Sequence, residues 1–187
     1  MDDGWSEIKD WRKHQRTELI ARRLALEPIR RRQMNAAISA HIEAGFTRLT
    51  SMTIGFCWPF KAEFDARFAI RCFRDGGAVA ALPVVVAKSE PLQFRAWWPG
   101  APMTKGVYEI PVPDGTALVV PDAVIVPMNG FDAQGYRLGY GGGYFDRTLD
   151  SISPQPLAIG VAFADIYRHA AHWCVEHAFL QQDPGQV

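Results

Sequence analysis

The chain has 187 residues, 48% of them hydrophobic and 21% charged, a balance that excludes a disordered tail. A chain of this length buries roughly 70% of the surface exposed when unfolded, so it needs no disulfide or metal staple. Twenty Lys and Arg against twenty Asp and Glu give net zero, which argues against a general polyanion binder.

That zero is unevenly distributed. Residues 9–32 carry nine bases and three acids, a local charge of +6 that the rest of the chain offsets. Residues 6–26 read as a helix on which Trp11, Leu19, Ile20 and Leu24 share a face and the bases lie largely elsewhere. Glu27-Pro28 breaks it, and Pro28 suits the first position of a second helix. Met34, Ile38 and Ile42 recur every four residues along that helix, which runs to about Ala44 before Gly45.

Thr53 to Trp58 reads as a short buried strand ended by Pro59. Phe64, Phe68 and Cys72 sit four apart and predict a helix closed by Gly76-Gly77. Val79–Val86 and Leu92–Trp97 are strand-like. Pro99 to Pro121 is rich in Pro and Gly and reads as a long, partly ordered loop. Ala123–Pro127 is a short apolar strand. It leads into a glycine-dense loop, a helix from near Gly143, and a last buried strand, Leu157–Phe163. Alternating strands and helices imply a single α/β domain over 1–187, three-layered and Rossmann-like, with a largely parallel sheet flanked by helices. Ligands in such sheets sit beyond the carboxyl ends of strands, so Phe56–Phe60 and Asn129–Tyr144 are candidate lips of one pocket.

The longest nearly apolar run, Ala78–Ala87, is ten residues long and too short to span a membrane. The acidic start lacks a signal-peptide core. Cys57, Cys72 and Cys174 are odd in number and widely spaced, and read as reduced thiols.

The glycine loop carries the chemistry. Six of the sixteen glycines lie between Gly130 and Gly143. Dense glycine lets successive backbone N–H groups converge on an anion, and a following helix adds its positive end. Arg137 brings a guanidinium that can grip phosphate bidentately. Asp146, in the first turn of the next helix, has the oxygen chemistry Mg²⁺ prefers. Neither a GxxxxGK[ST] motif nor a complete GxGxxG is present, and a plain flexible turn is the competing reading.

The run Pro127…Phe131-Asp132…Gly135-Tyr-Arg137-Leu-Gly-Tyr-Gly-Gly-Gly-Tyr-Phe-Asp146 resembles the signature of 5-formyltetrahydrofolate cyclo-ligases, also called 5,10-methenyltetrahydrofolate synthetases. The likeness continues upstream through the basic first helix, Trp58…Glu63, Leu82-Pro83 and Tyr108-Glu-Ile-Pro-Val-Pro113, covering roughly residues 9–163. It implies ATP- and Mg²⁺-dependent closure of 5-formyltetrahydrofolate to 5,10-methenyltetrahydrofolate through a phosphorylated formyl group. Arg137, Leu138, Gly139, Tyr140, Gly141, Gly142, Gly143, Tyr144 and Phe145 would cradle the ATP phosphates, with Arg12 and Arg16 reaching the nucleotide. Asp146 would bind Mg²⁺. Arg16, Trp58, Glu63, Tyr108 and Tyr144 would meet the folate, and Arg137 and Tyr144 would serve catalysis.

Each residue has a plainer reading. Arg12 and Arg16 can be solvated helix charges, Trp58 can be core, Glu63 can cap the helix near Phe64, and Tyr108 can pack the Pro-rich loop. A cytoplasmic monomer with no nucleic-acid or membrane partner is expected. It ends after Phe163, where Ile166, Ala170, Trp173, His177 and Leu180 read as one amphipathic helix. His169, His172, Cys174 and His177 match no standard zinc spacing and read as packing residues. This departure leaves a catalytically impaired folate- or nucleotide-binding module as the alternative function.

Overall fold

The computed structural model describes residues 3–132 and 135–163; the expected C-terminal helix and its His and Cys residues lie outside these. Helix α1 spans Asp3–Leu24 and α2 spans Pro28–Gly45, with Pro28 in the opening turn of α2, where its missing N–H costs nothing. Helix α3 is Arg67–Asp75 and α4 is Tyr144–Ser151. The strands are β1 (Thr53–Gly55), β2 (Val79–Val84), β3 (Gln93–Trp97), β4 (Met103–Lys105) and β5 (Pro111–Pro113). They continue with β6 (Leu118–Val119), β7 (Ala123–Pro127), β8 (Gly130–Phe131), β9 (Arg137–Leu138) and β10 (Leu157–Val161).

The central sheet has the order β10-β7-β1-β2-β3-β6. Its first four strands are parallel, and β3 and β6 complete it antiparallel. The largely parallel α/β sheet expected from the alternation is therefore present. Its strands read as continuous apolar runs because both faces are covered. On one face Ile54, Leu82, Ile125 and Ile159 pack with Leu19, Ile42, Ile70 and Phe73 from α1, α2 and α3. On the other, Ala81, Phe94, Val124 and Val126 pack with Phe145 and Leu149 of α4. The period-2 alternation of Val124, Ile125 and Val126 between the two clusters is what makes three layers. Each fully buried Ile or Phe contributes about 1.5–3 kcal/mol of transfer free energy.

Four expectations change. The α3 register differs: Phe64 precedes the helix, Phe68 is 70% exposed and Cys72 is exposed. The inner stripe is Ala66, Ala69, Ile70 and Phe73, an i, i+3, i+4, i+7 set in which alanine admits close sheet contact. Strand β1 ends at Gly55, not Trp58; Phe56 still donates its N–H to the Ala81 carbonyl at 3.0 Å, after which the chain leaves the sheet. The Pro-rich stretch is ordered as a β4–β5 hairpin plus β6. At the hairpin tip Tyr108 and Glu109 both have φ of 59°, left-handed backbone that is uncommon for such residues. On α1, Leu24 is exposed and Arg23 is buried in its place. No helix among the described residues is long and apolar enough to cross a membrane.

Candidate functional site

A cleft of about 650 Å³ opens beyond the carboxyl ends of β1, β2 and β7, where Trp58, Pro83 and Pro127 line it. Every expected site residue lines this one cleft, from Arg12 and Arg16 on α1 to Asp146 on α4. Of the candidate lips, Phe56 and Asn129 are buried, whereas Phe60 and Arg137–Tyr144 line the cleft.

The glycine loop is held at its base by the β8–β9 hairpin, in which Asp132 Oδ1 accepts from the Tyr136 N–H at 2.9 Å. Arg16 donates from Nε to the Gly139 carbonyl at 2.8 Å. The loop then passes so close that a Cβ on Gly141, whose φ is +92°, would lie 3.1 Å from the Arg16 guanidinium carbon. Gly143 has φ +63° and starts α4. At Gly141 the left-handed backbone favours glycine, and a side chain there would press against the Arg16 guanidinium. Arg147 donates to the Gly142 carbonyl at 2.8 Å and lies 5.2 Å from the Tyr144 ring centroid.

Arg137 Nη2 and Asp146 Oδ1 are ion-paired across the loop mouth. Arg12 also lines the cleft, with its guanidinium 5.6 Å from the Trp5 ring centroid. These cations and the glycine backbone fit a polyphosphate. Among the described residues no three His, Cys, Asp or Glu gather as a metal cage. Asp146 alone suits Mg²⁺, which commonly takes one or two carboxylates plus substrate phosphates.

The other end of the cleft is aromatic with a buried carboxylate. Trp58 meets Trp97 edge-on at 6.4 Å and carries the Arg67 guanidinium 4.4 Å above its ring. Glu63 follows a tight turn in which Lys61 and Ala62 have φ of 47° and 59° and the Glu63 N–H donates to the Phe60 carbonyl at 3.1 Å. Its Oε2 accepts from the Phe60 N–H at 3.0 Å, and Oε1 from the Tyr140 hydroxyl at 2.8 Å. Glu63 is therefore no cap for α3, which begins at Arg67 after Ala66. Burial pushes its carboxyl above the ordinary range, opposed by these two hydrogen bonds and by the Arg23 charge. Burial and the Glu63 charge also raise the Cys57 thiol and the Tyr140 hydroxyl, so neither is an activated nucleophile. Tyr108, at the hairpin tip, is 71% exposed at the cleft margin.

Sequence reasoning missed Arg23. It donates to the Lys61 carbonyl at 2.9 Å, Asn129 Oδ1 at 3.1 Å and the Tyr140 hydroxyl at 2.7 Å. The signal was present: Arg12, Arg16, Leu19 and Arg23 are spaced 4, 3 and 4, one helical stripe.

A family model described as the 5-formyltetrahydrofolate cyclo-ligase family matches residues 8–165. A 5-formyltetrahydrofolate cyclo-ligase of Haemophilus influenzae is 26% identical over 155 residues, 79% of this chain and 83% of that protein. The NMR structure of the Aquifex aeolicus 5,10-methenyltetrahydrofolate synthetase superposes with a TM-score of 0.71 at 24% identity, covering 83% of this chain and 79% of that one. The Mycoplasma pneumoniae synthetase gives 0.68 at 23%, covering 84% and 88%. At those identities the two structures speak for the fold alone.

Proposed function

The chain belongs to the 5-formyltetrahydrofolate cyclo-ligase family and is an enzyme of that class, and from this premise we propose that it closes 5-formyltetrahydrofolate to the 5,10-methenyl form using ATP and Mg²⁺, as a cytoplasmic monomer. The chemical obstacle is a formamide, whose carbonyl is resonance-stabilised and whose oxygen leaves poorly. ATP supplies a phosphoryl group to that oxygen. The neighbouring N10 attacks the formyl carbon and gives up its proton. The carbon–oxygen bond then breaks, and phosphate departs carrying the former formyl oxygen.

The protein's part is positioning and charge neutralisation. Backbone N–H groups of Gly139 to Tyr144 would hold the phosphates, with Leu138 and Phe145 packing the two ends of the loop. Arg12 and Arg16 would flank the nucleotide. Arg137 would neutralise charge on the transferring group, and Asp146 would hold Mg²⁺ with substrate phosphates. Trp58 and Tyr108 would border the folate ring, Glu63 would accept from its N–H groups, and Tyr144 would lie between ring and phosphates.

The observation that supports this reading most is convergence. A cationic glycine loop and an aromatic pocket with one buried carboxylate share a single cleft. Mixing the protein with 5-formyltetrahydrofolate, ATP and Mg²⁺ tests it. Near-ultraviolet absorbance of the methenyl product should grow only when all three are present, and its absence across metal and pH conditions would sink the proposal.

A further inference from the structure

The Tyr140 hydroxyl stands between a buried cation and a buried anion. It accepts from Arg23 Nη2 at 2.7 Å and donates to Glu63 Oε1 at 2.8 Å, while Arg23 and Glu63 stay 3.9 Å apart. Arg23 and Glu63 are only 4% and 6% exposed. A carboxylate offers about four acceptor positions, so the hydrogen bonds from Tyr140 and Phe60 leave room for further donors. Without the hydroxyl, Nη2 would lose the partner that stands between it and the carboxylate, while Nε and Nη1 stay on Lys61 and Asn129. A direct Nη2 contact would consume an acceptor position a ligand needs.

We infer that Tyr140 and Arg23 are positioning residues for the folate ring: the hydroxyl is a spacer that fixes the Glu63 carboxylate while keeping acceptor positions open. Two further features fix the same carboxylate. Arg23 also bonds the Lys61 carbonyl, and the Phe60–Glu63 turn is held in left-handed backbone from both sides. The inference rests on the proposed assignment of Glu63 to the pterin. It gives Tyr140 a side-chain task in addition to the backbone task proposed for its loop.

The test is Tyr140→Phe, which removes one oxygen and keeps the ring against Phe60. Calorimetric titration with 5-formyltetrahydrofolate, and separately with a non-hydrolysable ATP analogue, reads each affinity without turnover. Folate affinity should fall about tenfold, the scale of one hydrogen bond to a charged group, while analogue affinity moves less than about twofold. Equal loss for both ligands, or no loss for folate, overturns the inference. A wild-type protein that binds folate but yields no product removes the proposed reaction and leaves the positioning claim to stand or fall on the titrations. A wild-type protein that binds no folate overturns both.

Discussion

Arg137 and Asp146 are ion-paired across the mouth of the glycine loop, joining β9 to the first turn of α4. The pair closes a loop whose middle is pinned by Arg16 on Gly139. In the proposed reaction both partners turn to the phosphates, the guanidinium directly and the carboxylate through Mg²⁺. The ion pair thus holds the two ends of the loop together.

Asp146→Ala should reduce turnover by about 100-fold or more, because charge on the transferring group loses its metal contact. Thermal stability should change by no more than about 1 kcal/mol, since Asp146 is half exposed and such pairs contribute little. Steady-state kinetics beside a thermal melt would check both. Activity within about twofold of wild type would remove Asp146 from the metal site.

Gly141→Ala should cost about 1–2 kcal/mol from its left-handed backbone alone. The new methyl would also press on the Arg16 guanidinium. Affinity for an ATP analogue should fall more than affinity for folate. An alanine variant that binds the analogue as wild type does would show that the close approach to Arg16 is dispensable.

Glu63 gives a pH signature. Burial raises its carboxyl, so the folded protein holds this proton more tightly than the unfolded chain. The stability it contributes is complete below the unfolded value of about 4.3 and is lost as pH rises through the folded value. Glu63→Gln carries no such loss. The melting temperature of the variant relative to wild type should therefore climb as pH rises across that window. A pH-independent difference would contradict the buried, raised carboxyl. Folate binding by the variant should weaken at all these pH values.

The register of α3 separates two phenylalanines. Phe73→Ala should cost about 3–5 kcal/mol, because Phe73 is buried among the helices and the sheet. Phe68→Ala should cost no more than about 0.5 kcal/mol at its exposed site. Chemical denaturation of the two variants measures the contrast, and similar losses would argue for the register expected from Phe64, Phe68 and Cys72.

The glycine loop and the buried strands were legible because their patterns are local. Ala123–Pro127 reads as an apolar run and is a strand with those bounds. The α3 register was not, because alanines carry little hydrophobic weight in a sequence pattern yet Ala66 and Ala69 are buried in the core. In the sequence Arg23 is one base among the nine of residues 9–32. Its burial depends on partners at Lys61, Asn129 and Tyr140, far away in the chain. The β4–β5 hairpin hid in a Pro-rich stretch because Pro111 and Pro113 sit where proline is tolerated, in an edge pairing of two short strands.

The proposed ring closure proceeds through phosphorylation of the formyl oxygen within this cleft. The most direct measurement uses 5-formyltetrahydrofolate labelled with heavy oxygen in the formyl group, incubated with the protein, ATP and Mg²⁺. Methenyl product should form together with inorganic phosphate that carries the label. Product accompanied by unlabelled phosphate, or no product at all, would contradict it.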